Sequence, residues 1–264
     1  MENLTVTLIQ SNLHWESPGA NRAMFEEKIW KIGKPTDIIV LPEMFTTGFS
    51  MNAGPLAEVM NQSSHKWMKQ MAHQTGALIL GSIIAKENGH YFNRLLWVEP
   101  GGESKTYDKR HLFRMADEHQ VYSSGKHRLI AQWKGWNICP LVCYDLRFPV
   151  WSRNVWSPLK KAMDYDALIY VASWPQVRVS SWDALLRARA IENLAYVVGV
   201  NRVGVDKLGV GYNGHSAVID PRGASVFTAE ESETIATVTL NSQSLEEYRL
   251  KFPAHLDADD FRLS

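Results

Sequence analysis
The 264-residue chain is long enough for one large α/β domain or two small ones, and 45% hydrophobic with 21% charged residues suits a globular protein with a substantial core. Lysine plus arginine (28) equals aspartate plus glutamate (28), so no overall field is available to hold nucleic acid or an anionic membrane, and a small molecule is the expected partner. The two cysteines, Cys139 and Cys143, exclude a secreted disulfide framework, no signal peptide is expected after Met1, and no apolar run reaches the ~20 residues of a membrane helix; a cytoplasmic protein is expected.

Leu4 to Gln10 alternates in polarity like a strand, and Ala20, Met24, Ile29 and Trp30 give helical spacing between Pro18 and Ile32. Asp37 to Leu41 is a continuous apolar strand, which completes a β-α-β opening and leads directly into Pro42-Glu43 and a loop up to Phe49. A second helix is predicted from Ser63 to Gln74, closed by Gly76, and a strand from Ala77 to Ala85. Asn88-Gly89 is a two-residue hairpin signal, and Pro100-Gly101-Gly102 marks a tight turn before a strand from Ser104 to Tyr107. Lys109 to Gly125 lacks periodicity and concentrates Lys109, Arg110, His111, Arg114, Asp117, Glu118 and His119, as a loop carrying function does.

His127 to Gln132 and Asn137 to Val142 are predicted as paired strands, and Pro149 to Met163 as a helix. A buried strand (Asp166 to Ser173), a helix (Ser181 to Asn193) and another buried strand (Ala195 to Val203) restore the β-α-β rhythm. Gly204 to Gly214 follows a strand without opening a helix, so it fails the context of a dinucleotide loop and is read as turns. Strands at His215 to Asp220, Ala224 to Thr228 and Thr234 to Leu240, a helix from Ser244 to Phe252 and a polar tail end the chain. Two β-α-β sections, each finished by hairpin strands, predict one α/β domain over residues 1–264: a four-layer α-β-β-α sandwich of two mixed sheets.

Cys143 stands where an apolar strand turns polar. There, backbone N–H groups, a cation or a base can activate a thiol, although a buried structural cysteine has the same signature. Cys139, inside the run, reads as packing. No pair among the nine histidines has metal-ligand spacing, His111, His119 and His215 being read as polar or packed side chains, so neither metal nor cofactor is expected. Ten tryptophans without a basic surface give no reason to expect single-strand nucleic-acid binding.

Three segments taken together, Leu41-Pro42-Glu43, Tyr107-Asp108-Lys109-Arg110-His111-Leu112-Phe113 and Cys143-Tyr144-Asp145-Leu146-Arg147-Phe148-Pro149, resemble the nitrilase (carbon–nitrogen hydrolase) superfamily. The likeness continues through Arg187 to Asn193 and Gly214 to Gly223. It implies a Glu-Lys-Cys triad: Glu43 as general base, Lys109 as catalytic lysine, Cys143 as nucleophile. Glu118, with Asp117 as a rival, matches a supporting glutamate, and the backbone N–H of Tyr144 a second oxyanion donor beside Lys109. Asp145 and Arg147 are expected to fix the elbow through hydrogen bonds and a buried ion pair.

Pro42 to Met51 and Ala172-Ser173-Trp174-Pro175 look most like the bacterial ω-amidases, which implies hydrolysis of 2-oxoglutaramate or 2-oxosuccinamate, with an N-carbamoyl amino acid, a deaminated glutathione-like amide or a nitrile as alternative substrates. A non-catalytic protein on the same fold is the alternative of another class. Phe45, Phe49, Trp174 and Arg178 are the expected pocket walls and carboxylate site. The family further implies a homodimer or larger homo-oligomer, for which Trp151, Trp156 and the helix from Leu245 to Phe252 are candidate contacts.

Overall fold
Sixteen strands and seven α-helices follow one another in the computed structural model, which describes residues 1–159 and 161–259; the end of the expected polar tail lies outside them. The first half contains β1 (Leu4–Gln10), α1 (Pro18–Trp30), β2 (Ile38–Val40), α2 (Ala53–Leu56), α3 (Ser63–Thr75), β3 (Leu78–Glu87), β4 (His90–Val98) and β5 (Ser104–Asp108). After α4 (Glu118–Val121) come β6 (Ala131–Trp133), β7 (Trp136–Val142), α5 (Pro149–Ser152), β8 (Trp156–Ser157), β9 (Ala162–Met163), β10 (Ala167–Val171), α6 (Val179–Asn193) and β11 (Tyr196–Val200). The end comprises β12 (Val203–Val205), β13 (Gly211–Asn213), β14 (Ala217–Ile219), β15 (Ser225–Thr228), β16 (Thr234–Leu240) and α7 (Ser242–Lys251).

Two six-stranded mixed sheets result, ordered β16-β1-β2-β3-β4-β5 and β15-β14-β11-β10-β7-β6. Each has three parallel strands at its centre, β1-β2-β3 in one and β11-β10-β7 in the other, flanked by antiparallel strands. Alternation along the strands decides the layers. Leu4, Val6 and Leu8 of β1 and Leu95 and Trp97 of β4 share one apolar cluster with Ile138, Ile169 and Val198, which lie on one face of the second sheet. Ile9, Ile39 and Ile79 face the other way, onto Phe25 and Ile29 of α1 and Met68 and Met71 of α3. On the outer side of the second sheet, α6 approaches β11 so closely that a Cβ at Gly199 would stand 2.7 Å from Leu186 and 2.8 Å from Trp182, which only glycine avoids. Each aliphatic side chain fully buried between these layers contributes roughly 1.5–3 kcal/mol.

The Asn88-Gly89 hairpin forms with both residues at positive φ (49° and 80°), the geometry of a type I′ turn, and Gly76 closes α3 at φ 68°. Other expectations need correction. In α1 the buried residues are Asn21, Phe25 and Ile29, while Trp30 is exposed; the buried stripe lies one residue out of phase because Asn21 donates to the carbonyls of His14 and Thr46. The helix predicted from Pro149 to Met163 stops after Ser152. Asn154 is held instead by Tyr165 and Asn193, Pro158 has no N–H to donate, and β8 and β9 form a two-stranded ribbon. Only Ala131–Trp133 of the segment from His127 pairs with β7, around a Lys134-Gly135 turn. Gly204 to Gly214 is not merely turns: β12 and β13 pair as a hairpin, its tip closed by the N–H groups of Leu208 and Val210 donating to Asp206.

Candidate active site
Strand ends from both sheets converge on one point. Glu43 follows β2, Lys109 follows β5, Cys143 follows β7 and Ser173 follows β10. Glu118 opens α4, and Asn93 comes from the middle of β4. All six side chains are buried; Cys143, at 8% exposure, is the one most open to solvent. Cys143 itself has φ 44°, and Met44 and Asp117, beside the two glutamates, have φ 44° and 54°. A non-glycine residue in this left-handed region costs about 1–2 kcal/mol, so three tight turns are held under strain at the site.

The hydrogen bonds leave little freedom. The Lys109 ammonium donates to Glu43 Oε1 at 2.9 Å and to Glu118 Oε1 and Oε2 at 3.0 and 2.9 Å. Asn93 Nδ2 donates to Glu43 Oε1 at 2.7 Å and to Glu118 Oε1 at 3.2 Å. Glu43 Oε2 accepts from the Ser173 N–H at 2.8 Å, and the Cys143 thiol contacts both Glu43 and that N–H. Glu118 Oε2 also accepts from the Phe113 N–H. Two carboxylates and one ammonium buried together are tolerable because each oxygen of both acids has a donor.

Burial works against the Lys109 ammonium, but Glu118 and Glu43 outweigh it and hold the group charged well beyond the ordinary lysine range. Burial, with Glu43 adding to it against Lys109, pushes Glu118 above the usual carboxylate range. Burial and then the charge of Glu43 push the Cys143 thiol well above its ordinary value, with Lys109 opposing. The resting sulfur is therefore a protonated thiol touching a carboxylate. Cys139, pushed up to about 12 by burial, has no carboxylate bonded to it and packs within the core.

Above the thiol lies a cavity of about 360 Å³. Lys109, Cys143, Tyr144 and Ser173 form its floor, and Phe49, Phe113, Met115, Arg147, Trp174, Arg178, Leu208 and Tyr212 stand among its walls. Phe49, Trp174 and Arg178, three of the four expected wall residues, thus line this cavity. Phe45 is not: its ring is fully buried on the far side of the first sheet, 5.6 Å from Phe25 and 5.7 Å from Trp67, because the turn at Met44 sends it outward over Gly81. Asp117, the rival of Glu118, is exposed at the rim and does not reach Lys109.

Nor do Asp145 and Arg147 pair. Two residues apart in a 3₁₀ turn they point in different directions. Asp145 accepts from Tyr107, Val142 and His111, whereas Arg147 lies over the Trp174 ring at 5.0 Å and lines the cavity. Asn93, Arg147 and the hairpin of β12 and β13 are the site features that sequence reading missed. A larger cavity of about 440 Å³, between Arg153 to Met163 and Phe252 to Asp259, contains neither cysteine and none of the carboxylate–lysine cluster.

Among the described residues no group of three or more histidines, cysteines or acids is arranged to hold a metal ion, and no helix is long and apolar enough to cross a membrane. A buried thiol beside a carboxylate, with an ammonium next to them at the floor of a pocket, is equipped for acyl transfer through sulfur. The carbon-nitrogen hydrolase family model matches residues 5–250. The chain belongs to that family, the nitrilase superfamily. It is 50% identical to the ω-amidase YafV of Escherichia coli K12 over the whole of both chains. With the 2-oxoglutaramate amidase of Bacillus subtilis it shares 32% identity, covering 98% of this chain and 97% of the other. The crystal structure of XC1258 from Xanthomonas campestris, a CN-hydrolase superfamily protein with an arsenic adduct in its active site, superimposes with a TM-score of 0.98 at 44% identity over all of both chains. This carbon–nitrogen hydrolase is therefore an enzyme, and its fold is that of its superfamily.

Proposed function
We propose that this hydrolase is an ω-amidase that converts small 2-oxo dicarboxylic acid monoamides, of the 2-oxoglutaramate or 2-oxosuccinamate kind, into the 2-oxo dicarboxylate and ammonia. One observation carries the reading. The cavity above Cys143 is walled by two guanidinium groups, Arg147 over Trp174 and Arg178 over Phe113, and among the described residues neither has an ion-pair partner. A free carboxylate at the far end of a short amide is the ligand such groups await. Full-length similarity to proteins named ω-amidase and 2-oxoglutaramate amidase supports it.

In the proposed cycle the Cys143 sulfur attacks the amide carbon while Glu43 takes the thiol proton. The Lys109 ammonium and the Tyr144 N–H stabilise the oxyanion, and Glu118 holds Lys109 in place. Glu43 returns the proton to the leaving nitrogen, ammonia departs, and a thioester remains on Cys143. Water, deprotonated by Glu43, then attacks the thioester carbon; the acid leaves and the thiol regains its proton. We further propose that the whole chain acts as one catalytic domain, that it works in the cytoplasm, and that it is a homodimer. Exposed Val150, Ile191, Leu250 and Phe252 support self-association, whereas Trp151 is drawn into the core and Trp156 is half-buried against His255.

An ammonia-release panel tests the substrate. We expect kcat/KM for 2-oxoglutaramate or 2-oxosuccinamate to exceed that for glutamine, asparagine, an N-carbamoyl amino acid and a nitrile by at least about tenfold, roughly the 1.4 kcal/mol of one well-placed charged contact. Faster turnover of the carbamoyl compound, with carbon dioxide, or of the nitrile would overturn it.

A further inference from the structure
Glu43 must do two opposite things in the proposed cycle, accept a proton from sulfur and give it up again, and one of its two oxygens has to be the one that does so. The surroundings decide which. Oε2 accepts only from the Ser173 N–H, the backbone group that also acts on the Cys143 thiol. Oε1 already accepts from two donors, Lys109 Nζ at 2.9 Å and Asn93 Nδ2 at 2.7 Å. A proton on Oε1 would have to displace one of them.

Asn93 is the unexpected member of this arrangement. It is fully buried within β4, and its single amide nitrogen serves both acids, directing one N–H to Glu43 and the other to Glu118 at 3.2 Å. Its carbonyl oxygen is buried without a hydrogen-bond partner among the described residues. A buried orphan acceptor is destabilising, and turning the amide over would point that oxygen at two carboxylates. The side chain is therefore held with its donors towards the acids at the expense of its own acceptor. No charge is added: a second cation here would bind the carboxylates too firmly for Glu43 to act as a base, and an apolar residue would leave Oε1 with Lys109 alone.

We propose that Asn93 is a positioning residue that keeps Oε1 of Glu43 occupied and so reserves Oε2 as the oxygen that exchanges protons with Cys143 and water. The inference rests on the general-base reading of Glu43 given above. It concerns the ionisation of the base, so its signature is a pH profile. Lys109, Glu118 and Cys143 face the same cluster, and Tyr122 and Tyr212 lie close enough to feel the charge of Glu43. Both tyrosines are held protonated far above the pH range to be measured, and Lys109 stays charged across it, so none of the three sets the acid side of the profile.

The test is the pH dependence of kcat/KM for 2-oxoglutaramate, with the full chain, in wild type, Asn93→Leu, Asn93→Ser and Asn93→Asp. Losing a donor disfavours the carboxylate form, so the acid limb should move to higher pH. A displacement of about one pH unit is expected for Leu and Ser and a larger one for Asp, which adds a third carboxylate. The loss is then about tenfold or more on the acid side and shrinks towards the alkaline plateau, with KM nearly unchanged. A pH-independent loss, or an unshifted limb in whichever variants fold, overturns the proposal. Alkylation of Cys143 by iodoacetamide against pH reads the same base without turnover and should shift in parallel; an unshifted alkylation profile also counts against it. Glu43→Gln separates the two ideas: if it remains active, the general-base reading itself fails, whereas an inactive Glu43→Gln beside unshifted Asn93 variants rejects only the role given to Asn93.

Discussion
The floor of the site and its walls are built on different terms. At the floor, Glu43, Lys109, Cys143 and Ser173 each stand just beyond the end of a sheet strand, two strands from each sheet, and the oxygens of Glu43 all have donors. The walls come from connections: Phe113 to Asp117 in the long loop, Trp174 to Arg178 before α6, and the hairpin of β12 and β13, where Met115 is 78% and Leu208 73% exposed. Strand ends locked between two layers hold atoms to the tolerance that bond-making needs. Loops that pack on one side only can change shape at little cost to the core. On the proposed mechanism the bond-making groups thus sit at strand ends held between two layers, and the groups proposed to choose the substrate on the connections around them.

If that division holds, substitutions should fall into tiers. Cys143→Ala should abolish turnover, by roughly 10⁴-fold or more, and Glu43→Gln and Lys109→Met should come close to it, because members of a catalytic unit fail together. Melting temperatures measured beside the rates should show that the three proteins remain folded. Glu118→Gln should cost about 10- to 100-fold in kcat, the loss of one charge-assisted contact to Lys109. On the walls, Arg147→Ala and Arg178→Ala should each raise KM by about tenfold and leave kcat within a few-fold, while Leu208→Ser should change either constant little. A wall substitution that lowered kcat as far as Glu118→Gln does would break the comparison.

Phe45→Ala sharpens it from the other side. Its ring is adjacent in sequence to the site yet packs against Phe25 and Trp67, so we expect about 3–5 kcal/mol of lost stability in a denaturant titration and an unchanged KM in the protein that stays folded. The pH profile offers a last, smaller check. The resting sulfur is a protonated thiol held above its ordinary range, so kcat/KM should stay level from the end of the acid limb to about pH 9. A rise centred on the ordinary thiol value near 8.5 would mean a free thiolate carries the reaction.

The same division explains what could be read from the chain. Glu43, Lys109 and Cys143 stood out only through the resemblance of their three motifs to the carbon–nitrogen hydrolases, since each residue alone reads as an ordinary loop charge or a packed thiol, whereas the two-sheet architecture was legible because β-α-β periodicity appears twice. Asn93 left only a faint mark, a polar residue beside Arg94 ahead of the apolar end of β4, and which side of the sheet it faces depends on pairing with β3 and β5. Phe45 was misplaced because nearness to Glu43 in sequence says nothing about the positive φ at Met44 that turns the chain between them. The false helix after Pro149 had helical-looking composition, but Asn154 is bound by Tyr165 and Asn193, contacts distant in the chain. Glycine-rich Gly204 to Gly214 looked like unpatterned turns because a two-stranded hairpin of three residues a side has too few positions to show alternation.

The central claim is that carbon–nitrogen cleavage passes through sulfur at Cys143. It is tested most directly by rapid acid quench of the enzyme with 2-oxoglutaramate, followed by intact-protein and peptide mass spectrometry. An acyl group, the substrate less ammonia, is expected on the peptide containing Cys143 and absent from Cys143→Ala. Turnover at the wild-type rate in Cys143→Ala, or an acyl mass on Cys139 instead, would contradict it.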